Sequence, residues 1–280
     1  MDDARDESAV DDSTSPDEGP DRARAPTASN PEWRAMLEGT GAVFASGRRL
    51  LRLIPSSPRC KLCAAPFAGP GAPVMRLMDR GPWAKNPSIC GYCFKQLERA
   101  RGGAEIELSL LFADIRGSTG LGESMGAAAF HRLMGRFYRE MAKVLLAHDA
   151  VVDKFVGDEV VALFIPALTG ADHSGRAVQA AREMLKATGH SEKIGPWAPL
   201  GIGIHTGPAY VGTIGDAVTD FTALGDVVNV TARLASAAAA GEILVSAKAS
   251  TLAGLETDLE TRHLVLRGRQ EPLDVRVLRG

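Results

Sequence analysis

The order of strand-like and helix-like segments after residue 105 constrains the fold of this chain more than any other feature. Short apolar runs that favour strands alternate with longer stretches whose apolar residues recur at helical spacing. The order is strand, helix, strand, strand, helix, strand, and then one more helix and three more strands. The predicted strands are 106–113, 151–156, 160–165, 200–205, 243–245, 262–266 and 275–278, and the predicted helices are 122–148, 172–188 and 226–239.

This order predicts an α+β fold with a ferredoxin-like βαββαβ core, whose helices lie on one face of the sheet. The second and third strands form a hairpin around a tight Gly157-Asp158 turn. In such a sheet the first strand lies beside this hairpin. The last helix and the C-terminal strands extend the core.

Two aspartates stand where strands of this core end. Asp114 follows the first strand, and Asp158 occupies the hairpin turn, so we expect both carboxylates at one edge of the sheet. Either aspartate alone would more simply cap a helix or build a turn. Together, two hard anionic ligands suit Mg²⁺ or Mn²⁺ bridged to a polyphosphate, because these ions take their remaining ligands from water and substrate.

Four motifs in a fixed order connect these aspartates to a known family. They are residues 112–119 (FADIRGST), 154–159 (KFVGDE), 201–207 (GIGIHTG) and 221–233 (FTALGDVVNVTAR). The segment from residue 105 to 280 resembles the catalytic domain of the class III nucleotidyl cyclases, which includes adenylyl and guanylyl cyclases. Any one motif would be weak, whereas four in register are specific.

The resemblance implies a reaction and a set of residues. The ribose 3′-hydroxyl would attack the α-phosphate and pyrophosphate would leave, with two Mg²⁺ or Mn²⁺ ions per site. Asp114, Asp158 and the backbone carbonyl of Ile115 would hold the metals. Asn229 and Arg233, four apart on one helix face, would stabilise charge on the α-phosphate in the transition state.

Base choice in the family depends on two positions, which are Lys154 and Thr222 here. A lysine can donate to an adenine ring nitrogen, and a threonine hydroxyl can accept from the exocyclic amine, which favours ATP and production of cyclic AMP for signalling. Many relatives carry aspartate at the Thr222 position, so a guanylyl cyclase stays an alternative, as does a diguanylate-cyclase-like enzyme with a similar Gly-Asp-Glu turn. Arg267 stands near the place where relatives bind the terminal phosphates.

The resemblance also predicts how the site is assembled. Family geometry suggests Asp114, Asp158 and Lys154 on one subunit and Thr222, Asn229 and Arg233 on the other. A chain that carries all six predicts a head-to-tail homodimer with two equivalent sites. A rival of another class is a catalytically silent cyclase fold that serves as a scaffold beside a nucleic-acid-binding zinc module.

All four cysteines of the chain precede this domain, as two CxxC pairs separated by 26 residues. They are Cys60, Cys63, Cys90 and Cys93. This spacing lets both pairs close on one tetrahedral ion and predicts a structural zinc site, with an iron–sulfur cluster or redox-sensing thiols as alternatives. Residues 31–104 hold twelve basic against four acidic residues, but lack a clear aromatic platform, so nucleic-acid binding is the less favoured role.

These observations divide the chain into four parts. Residues 1–30, with nine acidic and three basic residues and almost no sizeable apolar ones, predict a disordered acidic tail. Residues 31–58 predict a helical segment, 59–104 the four-cysteine module, and 105–280 the catalytic domain. No apolar run approaches the ~20 residues that span a bilayer, and no leader pattern opens the chain, so we expect a cytoplasmic protein. The sequence does not identify a regulatory partner.

Overall fold

A computed structural model describes residues 30–40, 48, 50–84, 86–99, 102–215, 220–265 and 272–280. The expected acidic tail, apart from Asn30, and the predicted phosphate-binding Arg267 lie outside these residues. The helices are α1 (Pro31–Leu37), α2 (Ala72–Leu77), α3 (Gly91–Arg99), α4 (Ser118–Met125), α5 (Ala127–Ala147), α6 (Pro166–Thr169), α7 (His173–Ala187), α8 (Asp226–Ala237) and α9 (Ala247–Leu252). The strands are β1 (Gly103–Ile115), β2 (Val151–Val156), β3 (Glu159–Phe164), β4 (Leu200–Ile214), β5 (Asp220–Leu224), β6 (Glu242–Ser246), β7 (Thr261–Leu264) and β8 (Leu273–Arg279).

The strands form one mixed sheet in the order β2-β3-β1-β4-β6-β8-β7, with β5 paired to the second half of β4. The first four strands have the ferredoxin-like arrangement, and β1 lies beside the β2–β3 hairpin, as predicted. The pair β4–β6 is parallel, whereas the other pairs are antiparallel. The predicted α+β fold class is therefore confirmed.

Alternate residues of β1 face two separate apolar cores. One face packs Leu111 and Ala113 against α5 and α7, which is the single helical layer that the core predicts. The other face packs Leu108 and Leu110 against residues of α1 and α8. Helices therefore cover both faces of the sheet, because α8 and the N-terminal α1, whose Trp33 is fully buried, lie outside the βαββαβ unit.

The predicted long helix 122–148 is wrong as a single element. Two helices, α4 and α5, occupy this region and meet at Gly126, whose φ of 74° lies in the left-handed region. Glycine adopts this conformation at little cost, so it ends one helix and begins the next. The short elements β5 and α9 were not predicted. In the described part of the chain, no helix has the length and apolar character needed to cross a membrane.

Candidate active site

The first strand and the hairpin bring the two predicted metal-binding aspartates to one edge of the sheet. Asp114, near the end of β1, pairs with Glu159 on β3 and with Gly201 on β4. The backbone N–H of Ile115 donates to the carbonyl oxygen of Asp158 at 3.3 Å. The convergence expected from the strand order is therefore observed.

The two carboxylates perturb each other. Burial, followed by a hydrogen bond with the Asp158 side chain, raises the pKa of Asp114 to about 7. Burial alone would raise the pKa of Asp158 as well. Hydrogen bonds from the Ser118 and Asp114 side chains outweigh this effect and hold the pKa of Asp158 below its ordinary value. The pair thus shares one proton readily, which is expected of two adjacent carboxylates. Two carboxylates beside the Ile115 backbone form an all-oxygen donor set that fits Mg²⁺ or Mn²⁺.

Arg116 is a site residue that the sequence patterns did not single out. Its Nη2 lies 2.6 Å from Oδ2 of Asp114, and its Nη1 donates to the carbonyl oxygen of Ser236 at 3.1 Å. Arg116 therefore joins the aspartate edge to the C-terminal end of α8. The signal available in the sequence was its position two residues after Asp114, just beyond the end of β1, since the alternation of a strand places residues i and i+2 on the same face.

Helix α8 carries Asn229 and Arg233, the two residues predicted to act in the transition state. A close approach at Gly203 of β4 holds α8 on the sheet, since a Cβ atom at this glycine would lie 2.3 Å from the backbone nitrogen of Ala235. Asn229 is exposed and Arg233 half-buried. Neither side chain has a hydrogen-bond or ion-pair partner among the described residues, so both remain available to a ligand.

The predicted base-reading residues Lys154 and Thr222 meet at one carboxylate. Thr222 Oγ1 donates to Asp153 Oδ2 at 2.9 Å, and Lys154 Nζ lies 3.6 Å from the same oxygen. We expected Lys154 to act with the metal-binding aspartates and Thr222 to act from the other subunit. That separation is wrong, because β2 and β5 of one chain bring both side chains to Asp153.

The hairpin that carries Lys154 and Asp158 is braced by helix α5. The Tyr138 hydroxyl donates to the carbonyl oxygen of Gly157 at 2.6 Å, and the Tyr138 ring stacks on Phe155 with 4.3 Å between ring centroids. This contact holds the turn from the helical side of the sheet. The turn bearing Asp158 is therefore positioned by both β1 and α5.

The four cysteines form a second, separate cluster. All four Sγ atoms lie within 4.8 Å of one another and are buried. The Sγ atoms of Cys60 and Cys93 are 3.9 Å apart, and those of Cys63 and Cys90 are 3.6 Å apart. Disulfides need about 2.05 Å, whereas ligands about 2.3 Å from a tetrahedral zinc lie about 3.8 Å from one another.

The chemistry of the cysteine cluster also fits a metal. Hydrogen bonds among the four thiols lower the pKa of Cys60 and Cys63 and raise the pKa of Cys90 and Cys93, so Cys60 and Cys63 are the first to become the thiolates that bind metal. Arg80 Nη1 also lies 3.6 Å from Cys63 Sγ and can balance its charge. The four thiols thus fit the predicted tetrahedral zinc site.

The cysteine module contacts the segment that leads into β2. Lys61 Nζ forms an ion pair with Asp149 Oδ2 at 3.0 Å, and the buried Asn86 donates from Nδ2 to the carbonyl oxygen of Ala150 at 3.3 Å. Ala167 and Leu168 of α6 pack on the apolar cluster around the cysteines. The module therefore holds the open end of the hairpin, opposite the Asp158 turn.

Comparison with known proteins agrees with this geometry. Residues 104–274 match the family described as the adenylate and guanylate cyclase catalytic domain. The chain is 33% identical over 132 residues to an adenylate cyclase of Anabaena cylindrica and 31% identical over 134 residues to adenylate cyclase 1 of Rhizobium meliloti. These matches cover 45% and 46% of this chain, which spans only 26% and 20% of the length of the two relatives.

Solved structures show the same fold. The guanylyl cyclase Cya2 superposes with a TM-score of 0.58 at 27% identity, over 63% of this chain and 93% of that structure. The adenylyl cyclase CyaB from P. aeruginosa superposes with a TM-score of 0.56 at 31% identity, over 63% of this chain and 95% of that structure. Both nucleotide specificities are thus represented among similar structures.

Proposed function

The chain belongs to the adenylate and guanylate cyclase catalytic-domain family, and on this premise we propose that it is an adenylyl cyclase that converts ATP to 3′,5′-cyclic AMP and pyrophosphate. The observation that carries the proposal is the convergence of Asp114 and Asp158 at one edge of the sheet. The adenylate cyclases of Anabaena cylindrica and Rhizobium meliloti, about one third identical, support the choice of reaction.

The two aspartates would hold the divalent cations, together with the backbone carbonyl of Ile115. Bound Mg²⁺ or Mn²⁺ would supply Lewis-acid chemistry, which activates a hydroxyl and neutralises a triphosphate. Arg116 fixes one oxygen of Asp114, at 2.6 Å, and so orients the other oxygen. In the reaction the ribose 3′-hydroxyl gives up its proton to solvent and its oxygen forms a bond to the α-phosphorus. The bond from the α-phosphorus to the oxygen that bridges it to the β-phosphate breaks, and pyrophosphate leaves.

Asn229 and Arg233 would stabilise the charge that develops on the α-phosphate. Their amide and guanidinium groups are donors that have no partner among the described residues, so they would not need to break an internal hydrogen bond first. Donors aimed at developing charge are commonly worth about 10²- to 10³-fold in kcat. We assign these residues to the site whose metals are held by the other protomer of a head-to-tail homodimer.

Lys154 and Thr222 would read the base. Lysine is only a donor and suits the unprotonated ring nitrogen of adenine, whereas guanine presents an N–H there. No carboxylate stands at the Lys154 position to accept from guanine. The substrate we propose is therefore ATP.

Incubation of the purified chain with ATP or GTP and Mn²⁺, followed by identification of the product, tests the proposal. We expect cyclic AMP from ATP and much less cyclic GMP from GTP. Asp114→Ala should abolish the activity, and Asp274→Ala, which removes an exposed carboxylate paired with His263, should retain it. Cyclic GMP as the main product would favour a guanylyl cyclase, and no cyclic nucleotide from either substrate would favour a scaffold.

A further inference from the structure

Asp153 is a buried carboxylate to which the proposed reaction gives no role. Only 4% of its side chain is exposed, although it lies on β2 between exposed and half-buried neighbours. Its Oδ1 is buried and has no hydrogen-bond partner in the described part of the chain, whereas its Oδ2 contacts both Thr222 and Lys154. Burying a carboxylate is costly, so its presence at this position calls for a reason.

The hydrogen bond from Thr222 to Asp153 fixes the polarity of the threonine hydroxyl. A hydroxyl has one proton to donate and two lone pairs that accept. The Thr222 hydroxyl donates this proton in a 2.9 Å hydrogen bond to Oδ2 of Asp153, because a carboxylate oxygen only accepts. Toward any other ligand, the Thr222 hydroxyl can then only accept a hydrogen bond.

The same oxygen of Asp153 restrains Lys154. Nζ of Lys154 lies 3.6 Å from Oδ2 of Asp153 and 4.0 Å from Oδ2 of Asp220, while 43% of the lysine side chain is exposed. An ammonium has three protons, so it can point one at a ligand while it stays beside Asp153. The structure therefore places the Lys154 donor next to a Thr222 hydroxyl that can only accept.

This donor–acceptor pair matches adenine and opposes guanine. Adenine offers a ring-nitrogen acceptor beside an exocyclic amine donor, whereas guanine offers an N–H donor beside a carbonyl acceptor. Guanine would place its N–H against the Lys154 ammonium and its O6 against the lone pairs of Thr222. Each such unpaired group in a closed site lowers the affinity for the nucleotide by about tenfold or more.

We propose that Asp153 is a specificity-determining positioning residue, which makes the site select a 6-aminopurine nucleotide by fixing Thr222 as an acceptor and holding Lys154 beside it. The inference rests on the proposed function, since it concerns the base of the same nucleotide. Without Asp153, the Thr222 hydroxyl is free to rotate and can donate to the O6 of guanine. Asp153 touches no reacting atom, so its effect appears in base choice.

The test compares ATP with GTP in variants of residue 153. Asp153→Val introduces a β-branched residue suited to a strand, and Asp153→Ala provides a second apolar variant in case one fails to fold. We expect the ratio of kcat/KM for ATP to that for GTP to fall at least tenfold in both. A merely structural role would lower both values equally and leave the ratio unchanged.

Two further variants sharpen this test. Asp220→Asn removes a negative charge near Lys154 from an exposed side chain and leaves the hydrogen bond from Thr222 to Asp153 in place, so it should change the ratio less than twofold. Thr222→Val removes the hydroxyl itself, so Asp153→Val should lower the ratio less in that background than in the wild type. An unchanged ratio in the Asp153 variants, or an equal fall in Asp220→Asn, overturns the inference.

Competition of ATP and GTP against a fluorescent N-methylanthraniloyl nucleotide separates this inference from the proposed reaction. If the wild-type chain makes no cyclic nucleotide, the proposed function fails, while base preference in binding still reports on Asp153. Preferential ATP binding that Asp153→Val weakens by about tenfold supports the inference. Equal binding of both nucleotides by the wild type, or a preference that survives Asp153→Val, overturns it.

Discussion

At the scale of single residues, Glu242 makes the clearest prediction about stability. It is 7% exposed at the start of β6, where its oxygens accept from two nitrogens of Arg262 at 2.8 and 2.9 Å and from Arg279 at 3.2 Å. These bonds tie β6 to β7 and β8. Hydrogen bonds from Arg262, the largest cause, lower the pKa of Glu242 from 4.5 to about 2.

We expect Glu242→Gln to lower the free energy of unfolding by about 2 kcal/mol at pH 7, as for other charge-assisted hydrogen bonds. Because the folded state holds the pKa below its unfolded value, this stabilisation is complete above pH 4.5 and is lost as the pH falls toward about 2. Urea denaturation at pH 7 and pH 3 measures the difference between variant and wild type. A difference that grows on acidification would contradict this account.

The place of a residue in the site could be predicted where it depends only on the neighbouring sequence. Asp114 and Asp158 stand at strand ends, so the strand order alone brings them together. Asp153 and Arg116 were missed because their partners, Thr222 and Ser236, are distant along the chain. A charged residue inside a strand-like run looks exposed until the fold shows which side chain covers it.

At the scale of elements, the predicted strands and helices of the βαββαβ unit are present because their apolar periodicity agrees with the burial that the fold imposes. The predictions were least accurate where backbone conformation or strand pairing, and not apolar periodicity, decides where an element begins and ends. Gly126 divides one amphipathic stretch into α4 and α5, and β5 consists of five residues with only two buried. A short edge strand of this kind depends on pairing with β4, which no local pattern reveals.

The cysteine module makes a prediction about an element, the hairpin β2–β3. We expect about one zinc per chain, and we expect Cys90→Ser to lose the metal, because each of the four thiols is needed for a closed tetrahedral site. Loss of the metal should loosen the contacts of Lys61 and Asn86 with residues 149 and 150. Metal analysis and hydrogen exchange of β2 measure the two effects.

Lys61→Ala is the matched control for the cysteine variant. Lys61 lies next to a ligand, but its ion pair with Asp149 is partly exposed and is worth about 1 kcal/mol or less. This variant should keep its zinc and most of the protection of β2. Purified protein without zinc, or with iron–sulfur absorbance, would refute the zinc assignment, and unchanged exchange after metal loss would refute the link to the hairpin.

At the scale of the whole molecule, the assignment of residues to two protomers predicts complementation. Asp114→Ala and Asn229→Ala chains should each be inactive alone. In an equal mixture about half of the dimers are mixed and each has one intact site, so about a quarter of wild-type activity should return. Cyclase assays on co-refolded chains measure this recovery.

The control mixes two variants that each lack one of the two metal-binding aspartates, which belong to the same protomer of a site. A mixture of Asp114→Ala and Asp158→Ala chains should stay inactive, because neither protomer can then supply a complete metal site. Asp114→Ala mixed with Lys154→Ala should recover activity, since Lys154 acts beside Thr222. Heterodimers that form without recovery in the first mixture would disprove a shared site.

The position of Lys154 four residues before Asp158 has a consequence for the kinetics of a dimer. In a head-to-tail pair, one hairpin would read the base in one site with Lys154 and bind the metal of the opposite site with Asp158. Any ligand that shifts the hairpin at one site therefore alters affinity at the other, and the influence is reciprocal. The two catalytic domains alone would then give substrate saturation curves with a Hill coefficient different from one. The cysteine module, which contacts residues 149 and 150 at the start of the hairpin, would set how stiffly the hairpin couples the two sites.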